Sequence, residues 1–548
     1  MLVLSVFVAG MTTLAVEISA SRLLGTVFGT SNLVWANIIG LILVYLAAGY
    51  FLGGRWADRS PHFTTFYSLL AWGALASGLV PLVARPVLRA AAAAVENLDA
   101  AVMGGSFIGV LILFSVPVTL LGCASPFAIR LALTDPVHAG RVSGQMYAIS
   151  TLGSIIGTFT PVLWLIPTVG TAWTFLSFSG LLMAVALIGL YRAAPRRALT
   201  ALWMPGLLAL LAWLLMRGPL KPTPGLLYET ESAYNYIQVV ERDGIRYLLL
   251  NEGQGVHSIY NPETLATGGT WDYFLAARFF YPPARIAGST GVHASRITCY
   301  VSPVTCLPPS GGHLSLASRH PSQVRSLALV GLAAGTISKQ HTAVFGPIPI
   351  DGYEIDPGIV EAGRRFFAMD EPNLTVHVED GRWGLGHSSR RYDVVGVDAY
   401  RLPYIPWHLT TREFFEEVRA HLEPQGALAI NVGRTFTDRR LIEAMAGTLE
   451  SVFPSVYVID VPDTFNSVLV ATVQPTQPTN LAENYELIRN DPAIHSLLKD
   501  VLGRTILNLQ PTPASTVVFT DDKAPVEALT NSIVIRFVLS GSFLGLSE

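Results

Sequence analysis

The sequence predicts three architectures in one chain. A polytopic α-helical membrane domain of about seven spans comes first, then a small β-hairpin domain, then an α/β domain of Rossmann-like type. Three observations predict this. The 548 residues are 51% hydrophobic and only 14% charged, against about 25% charged in an ordinary soluble chain. The charge is concentrated after residue 216, and from residue 326 short apolar strands alternate with helical segments.

The apolar part is marked by composition. Residues 1–216 hold ten Arg, no Lys and five acids, which leaves 26 basic and 34 acidic residues for 217–548. A bilayer crossing needs about 20 apolar residues in a helix. The stretches 2–24, 33–52, 63–83, 108–131, 146–169, 173–191 and 199–216 satisfy that, each bounded by Arg, Pro or Gly. The first is too long, and too poor in preceding basic residues, for a secretory signal. Residues 86–101, Ala-rich with Arg89, Glu96 and Asp99, read as an amphipathic connecting helix. Glu17 and Arg22 are ionisable groups in or near the first span, where charge is costly. Either they mark a pathway, or Glu17 pairs with a neighbouring Arg while Arg22 reaches the interface. Gly153 and Gly157, like Gly49 and Gly53, suit close helix packing. The basic residues of short loops favour an inside N-terminus only weakly, seven against five. Seven crossings from there would put residues 217–548 outside.

The polar part opens with a Pro-rich linker, 218–224. Alternating apolar runs on either side of Asp243-Gly244 predict a β-hairpin, the start of a small antiparallel sheet. Residues 271–280 read as a short amphipathic helix, and 284–323 as irregular. The expected domains are therefore 1–217 (transmembrane), 218–280 (linker and small β domain), 281–325 (irregular insert), 326–475 (Rossmann-like, adenosyl-binding) and 476–548 (helical extension). Three cysteines exclude a disulfide framework and a Cys-rich zinc module. Cys299 and Cys306 could pair only if their segment faced an oxidising compartment. Neither part carries the basic stripe that a phosphate backbone requires, so nucleic acid is not an expected partner.

Within the α/β domain, strands are expected at 326–331, 348–354, 374–378, 392–397 and 427–432, with a closing hairpin at 456–461 and 468–473. Asp356-Pro357 is a helix-entry signature. In a parallel doubly wound sheet, ligands bind at the carboxyl ends of the strands. Gly331 and Gly335, Glu354, Asp380-Gly381 and Asp398 all fall at such ends. An acid 19 residues beyond the glycine turn can accept both hydroxyls of a ribose. The Asp380 edge and the closing hairpin favour an adenosyl-sulfonium site, hence the class I methyltransferase type of sheet, over a dinucleotide site. Taken singly, each acid could equally be a helix cap or a solvated charge. No metal-ligand cluster is evident, so no metal is expected.

These residues resemble the spermidine synthase family of polyamine aminopropyltransferases, and most closely its membrane-fused bacterial branch. The resemblance rests on Glu231-Ser232-Ala233-Tyr234, Leu250-Asn251-Glu252-Gly253, Trp271-Asp272-Tyr273-Phe274, the turn 331–336, Tyr353-Glu354, Glu379-Asp380-Gly381-Arg382 and Tyr392 to Asp398. Thr520-Asp521-Asp522-Lys523, Glu17 with Arg22, and Gly54-Arg55-Trp56 extend it along the chain. The resemblance implies transfer of an aminopropyl group from decarboxylated S-adenosylmethionine to a small-molecule amine, releasing methylthioadenosine. It implies Asp398 as the base, Glu354 at the ribose, Asp380 at the adenine, and backbone approach at Gly331, Gly335 and Gly381. The amine would meet Asp272, Tyr273 and Tyr400. A lipid bilayer is the other expected partner, and a homodimer is allowed. The expected location is the inner membrane, multi-pass. Cytoplasmic supply of the donor favours an inward-facing catalytic domain, against the span count.

Two departures bear on the acceptor. Where soluble members carry a second acid three residues after the base, Arg401 stands here, and the acidic segment of the first helix keeps only Asp272. Putrescine is therefore a doubtful acceptor. Methyl transfer from intact S-adenosylmethionine on the same fold, or a transporter or sensor that binds a nucleoside or polyamine without turnover, stays open.

Overall fold

The computed structural model describes residues 1–28, 32–95, 101–216, 223–251, 255–283, 324–400 and 404–539. Cys299, Cys306, Arg401 and most of the 281–325 insert lie outside the described residues; Cys123 is buried. The chain forms two compact units. One comprises Met1–Tyr260, Asp356–Phe367 and Val534–Glu548; the other comprises Asn261–Ile355 and Ala368–Ile533.

Among the described residues, the first unit begins with nine α-helices: α1 (Leu2–Phe28), α2 (Asn32–Arg59), α3 (Phe63–Val95), α4 (Ala101–Gly122), α5 (Ala124–Ala132), α6 (Ala139–Thr160), α7 (Ile166–Ala193), α8 (Pro195–Ala201) and α9 (Trp203–Leu215). Among the described residues, six helical stretches are long and apolar enough to cross a membrane. The expected connector at 86–101 is, as far as Val95, the continuation of α3, which carries Pro81 and Pro86 within it.

The fifth stretch, Ala139–Ala193, is 55 residues long. Straight, it would measure about 80 Å, against a hydrocarbon core of about 30 Å. It is not straight. A π-helical turn covers Pro161–Leu165, and Gly170 has φ 83 and ψ 169. The backbone of Met11 lies against Gly157, while the Thr12 hydroxyl is 3.4 Å from the Phe178 carbonyl. Positions 21 residues apart thus reach the same turn of α1, so the chain doubles back at Gly170. The two passes predicted for this region are both present as helices. A Cβ on Gly153 or Gly157 would come 2.0 Å from the carbonyl oxygens of Phe7 and Met11. Small residues here set how closely α6 approaches α1.

The small sheet follows with strands β1 (Leu226–Glu231), β2 (Tyr236–Arg242), β3 (Ile245–Leu250) and β4 (Val256–Tyr260), antiparallel in that order. Asp243 and Gly244 take positive φ, 52 and 76, the backbone a tight hairpin needs. Two contacts tie this sheet to the apolar helices. The Arg22 guanidinium donates to the carbonyls of Ser232 (2.5 Å) and Tyr234 (2.9 Å), and the Thr171 amide, next to Gly170, donates to the Glu231 carboxylate at 2.5 Å. Arg22 is thus a clamp on the β1–β2 turn rather than a charge reaching for the interface.

The second unit holds strands β5 (Leu327–Val330), β6 (Ile350–Tyr353), β7 (Leu374–His377), β8 (Tyr392–Val397), β9 (Leu422–Gly433), β10 (Ser455–Asp460), β11 (Asn466–Thr472) and β12 (Leu509–Gln510). Their order is β12-β10-β11-β9-β8-β5-β6-β7, with β9-β8-β5-β6-β7 parallel and β10, β11 and β12 antiparallel. This is the Rossmann-like sheet with a closing hairpin that the sequence predicts. Its helices are α10 (Thr336–Phe345), then, after α11 (Pro357–Phe366) in the first unit, α12 (Gly381–Gly386), α13 (Arg412–Ala420), α14 (Arg440–Glu450), α15 (Thr479–Ile488), α16 (Ser496–Asn508) and the first part of α17 (Val526–Leu539), whose residues from Val534 belong to the first unit. The segment expected as a helical extension holds α15, α16 and α17 among its described residues and also supplies β12 to the sheet edge.

One expectation needs correcting here. The segment Thr270–Phe280 is a 3-10 helix with no exposed face: Thr270 and every residue from Asp272 to Phe280 are buried. Asp272 and Arg278, whose charges suggest an outward face, are accommodated by pairing. Arg278 meets Asp393, and Asp272 meets Arg504 at 2.9 Å. Buried charges require such partners.

Candidate active site

The β5 strand ends in the turn 331–335, which brings the carboxyl ends of β5 and β8 together. The Asp398 amide donates to the Val330 carbonyl at 2.9 Å. Gly331 has φ +90, and a Cβ there would lie 2.6 Å from the Asp398 carbonyl oxygen and 2.7 Å from the Ala399 nitrogen. Only glycine fits. Gly335, at φ +86, opens α10. Between them Ala333 holds φ 49, a conformation a non-glycine residue adopts at a cost. Its amide donates to the Glu354 carboxylate at 2.9 Å, so the turn and the acid beyond β6 brace each other.

Asp380 follows β7. One of its oxygens caps α12, accepting from the amides of Arg382 and Trp383 at 3.0 Å each, while the other accepts from His408 Nε2 at 3.1 Å. The His408 bond, foremost, holds this carboxyl below its ordinary pKa. Gly381 permits close packing, since a Cβ would meet Val330 at 2.6 Å. A cavity of about 540 Å³ opens beside Asp380 between α12 and α13, but neither Glu354 nor Asp398 lines it.

Asp398 stands at the end of β8. Its oxygens accept from Trp271 Nε1 and Asn431 Nδ2, each at 2.9 Å. Burial raises its pKa, and these two hydrogen bonds oppose that rise. The Tyr400 hydroxyl donates to the Asn431 carbonyl at 3.2 Å, and burial foremost, then Asp398, push its pKa well up, keeping it a neutral donor.

Gly331, Gly335, Glu354, Asp380, Gly381, Asp398 and Tyr400 therefore sit at consecutive strand ends of one sheet. Asp272 and Tyr273, read as amine contacts, do not present themselves there. Asp272 is fully buried and accepts from the Thr267 and Gly268 amides, the Thr267 hydroxyl, Gln340 Nε2 and Arg504. Tyr273 is fully buried, with Arg504 over its ring at 5.4 Å. Spacing placed these residues on the right segment, but burial turns both side chains inward. Asp272→Ala leaves four neutral donors without this acceptor and leaves Arg504 to its exposed partner Asp500, at 2.8 Å. It is expected to cost about 3 kcal/mol, read as a lower melting temperature of the full chain, while donor binding persists.

Trp271 and Asn431, whose side chains hold the Asp398 carboxylate, are not among the site residues the sequence predicts. Asn431 was detectable as a lone polar residue in the apolar run of β9; Trp271 had no signal beyond its neighbours. Among the described residues, no cluster of three His, Cys, Asp or Glu could hold a metal ion.

Residues 347–484 match the spermine/spermidine synthase domain. A probable polyamine aminopropyl transferase from Bifidobacterium longum is 31% identical over 319 residues, covering 56% of this chain and 62% of that protein. A polyamine aminopropyltransferase from Vibrio vulnificus is 28% identical over 160 residues, covering 28% of this chain and 52% of that protein. The chain thus spans less than two thirds of these relatives. A crystal structure of a probable spermidine synthase from Corynebacterium glutamicum aligns with a TM-score of 0.36 and 17% identity, over 52% of this chain and 95% of that one.

Proposed function

We propose that the protein is a membrane-anchored aminopropyltransferase using decarboxylated S-adenosylmethionine. The observation that carries this reading is the Asp398 carboxylate, half-buried and held by two neutral donors beside the Gly331 turn, with Glu354 at the neighbouring strand end. The acceptor's neutral nitrogen attacks the propyl methylene bound to sulfur. The C–S bond breaks with its electron pair passing to sulfur, which becomes the neutral thioether of methylthioadenosine. The proton lost by nitrogen goes to Asp398 and then to solvent. An ammonium has no lone pair, so a base held close to the nitrogen lowers the barrier.

Asp398 gains from its environment in two ways. Burial raises its pKa toward the working range of a general base. Trp271 and Asn431 leave its oxygens aimed rather than free to rotate, which favours a reactive geometry. Glu354 would accept the ribose hydroxyls, and Asp380 would take the adenine amino group with the lone pairs its cap and His408 leave. The apolar helices would hold the enzyme in the inner membrane, with the sheet on the cytoplasmic side where the donor is made. Protease accessibility in intact spheroplasts tests that sidedness: protection is expected, and cleavage within 223–539 would overturn it.

Loss of the Trp271 bond has a signed consequence. That bond stabilises the carboxylate and lowers its pKa. Trp271→Phe removes the donor, so the acidic limb of the kcat profile moves to higher pH. Below the limb, turnover falls roughly tenfold, as for a lost hydrogen bond to a charged group. The reading as a whole is tested by incubating the full chain with each donor. Methylthioadenosine from the decarboxylated donor is expected. S-adenosylhomocysteine from the intact donor would make the protein a methyltransferase on the same fold, and no product from either would leave a binding protein.

A further inference from the structure

The strand that presents Asn431 to Asp398 runs on to an aromatic rim. Gly433 lies two residues beyond, about 7 Å along the strand. A Cβ placed on it would be 3.8 Å from the Tyr400 hydroxyl and 4.0 Å from the Phe465 carbonyl. The next amide, of Arg434, donates to that same carbonyl at 2.7 Å, which fixes the β10–β11 turn against the end of β9. On this edge Phe436 and Phe465 pack ring to ring, centroids 5.0 Å apart, yet remain 51% and 39% exposed. Large aromatic rings paired and left open at the mouth of a site are binding surface more often than accident.

The charges around the rim are largely committed. Asp460 pairs with Arg434 and Arg439, Asp438 pairs with Arg440, and the Arg434 guanidinium sits 5.8 Å over the Phe436 ring. Asp272, the acid expected to receive the far end of a diamine, is buried and saturated with donors. Around Asp398 the described polar contacts are neutral: Trp271, Asn431 and the Tyr400 hydroxyl. A diamine's second ammonium is best held by an anion, and the Arg434 guanidinium over the Phe436 ring disfavours a second cation on the aromatic pair. Among the described residues, Asp463, exposed in the same turn as Phe465, is the remaining acid of this edge.

We propose that the acceptor is a primary amine on an apolar body, its nitrogen at Asp398 and its alkyl or aryl body along Tyr400 onto the Phe436–Phe465 pair. This rests on the aminopropyltransferase reading and names its acceptor class. The step is the one above, with the nitrogen of a monoamine as nucleophile and Asp398 taking its proton.

The test uses purified full-length protein in detergent with decarboxylated S-adenosylmethionine. Hexylamine and 2-phenylethylamine are compared with 1,3-diaminopropane and 1,4-diaminobutane, reading methylthioadenosine release and product mass. The expected result is a kcat/KM at least tenfold higher for the apolar amines. The double variant Phe436→Ala/Phe465→Ala should lose that preference through KM with kcat little changed, a split that simple loss of folding would not give. Turnover with the diamines preferred, together with loss of that preference in Asp463→Asn, would overturn the acceptor class while leaving aminopropyl transfer intact. A wild-type preference unmoved by the double variant would overturn the assignment of the aromatic pair. No methylthioadenosine with any amine would overturn both this and the reading beneath it.

Discussion

Asp398→Asn is expected to lower kcat by about a hundredfold or more, the usual scale for loss of a general base. The substitution keeps the size of the side chain but removes its capacity to take a proton. It also faces two donors, Trp271 Nε1 and Asn431 Nδ2, each 2.9 Å from a carboxylate oxygen, with an amide that can accept from only one of them. The second contact becomes donor against donor, so some local reorientation accompanies the chemical loss. Donor binding separates the effects. Glu354 and the turn at 331–335 do not depend on the Asp398 proton, so affinity for decarboxylated S-adenosylmethionine should stay within a few fold. Full turnover in this variant would remove Asp398 from the mechanism.

Gly331→Ala is expected to be as severe by a different route. At φ +90 an alanine is strained, at a cost of about 1–2 kcal/mol. Its Cβ would also sit 2.6–2.7 Å from backbone atoms of Asp398 and Ala399, which cannot swing aside as a flexible side chain would. The relief available is for the end of β8 to move, and the base moves with it. A displacement of about 1 Å can cost about a hundredfold in rate, so kcat should fall by that order, with weaker donor binding and a lower melting temperature. Ala333→Gly is the matched control. It relieves a positive φ of 49 two residues away and keeps the amide that binds Glu354, so activity and stability should hold.

The sequence was readable wherever a local rule was sufficient. Asp243-Gly244 adopts the paired positive φ of a hairpin, Asp356-Pro357 opens α11 with its side chain on the Gly358 amide, and the acids at strand ends follow from apolar runs alone. It was unreadable where tertiary packing decides direction. Nothing local says that Asp272 points inward, because its five hydrogen bonds come from its own loop, α10 and Arg504, 232 residues away. Asp380 is both things the sequence allowed, a helix cap and an acid at the expected edge. Arg22 gave its charge away at once, but its partners are backbone carbonyls of a distant turn. The reversal at Gly170 could be placed only to within the gap between two apolar runs, since glycine is common in such helices. β12, two residues long, has no pattern to find.

The central claim is that a propyl group, and not a methyl group, leaves the sulfonium. A single-turnover incubation of the full chain with decarboxylated S-adenosylmethionine, isotopically labelled in its propyl carbons, tests it most directly. The expected result is unlabelled methylthioadenosine in amount equal to the enzyme, with all of the label on an amine carrying one added aminopropyl unit. Label retained on the adenosyl product, with a methyl group found on the acceptor, would contradict it.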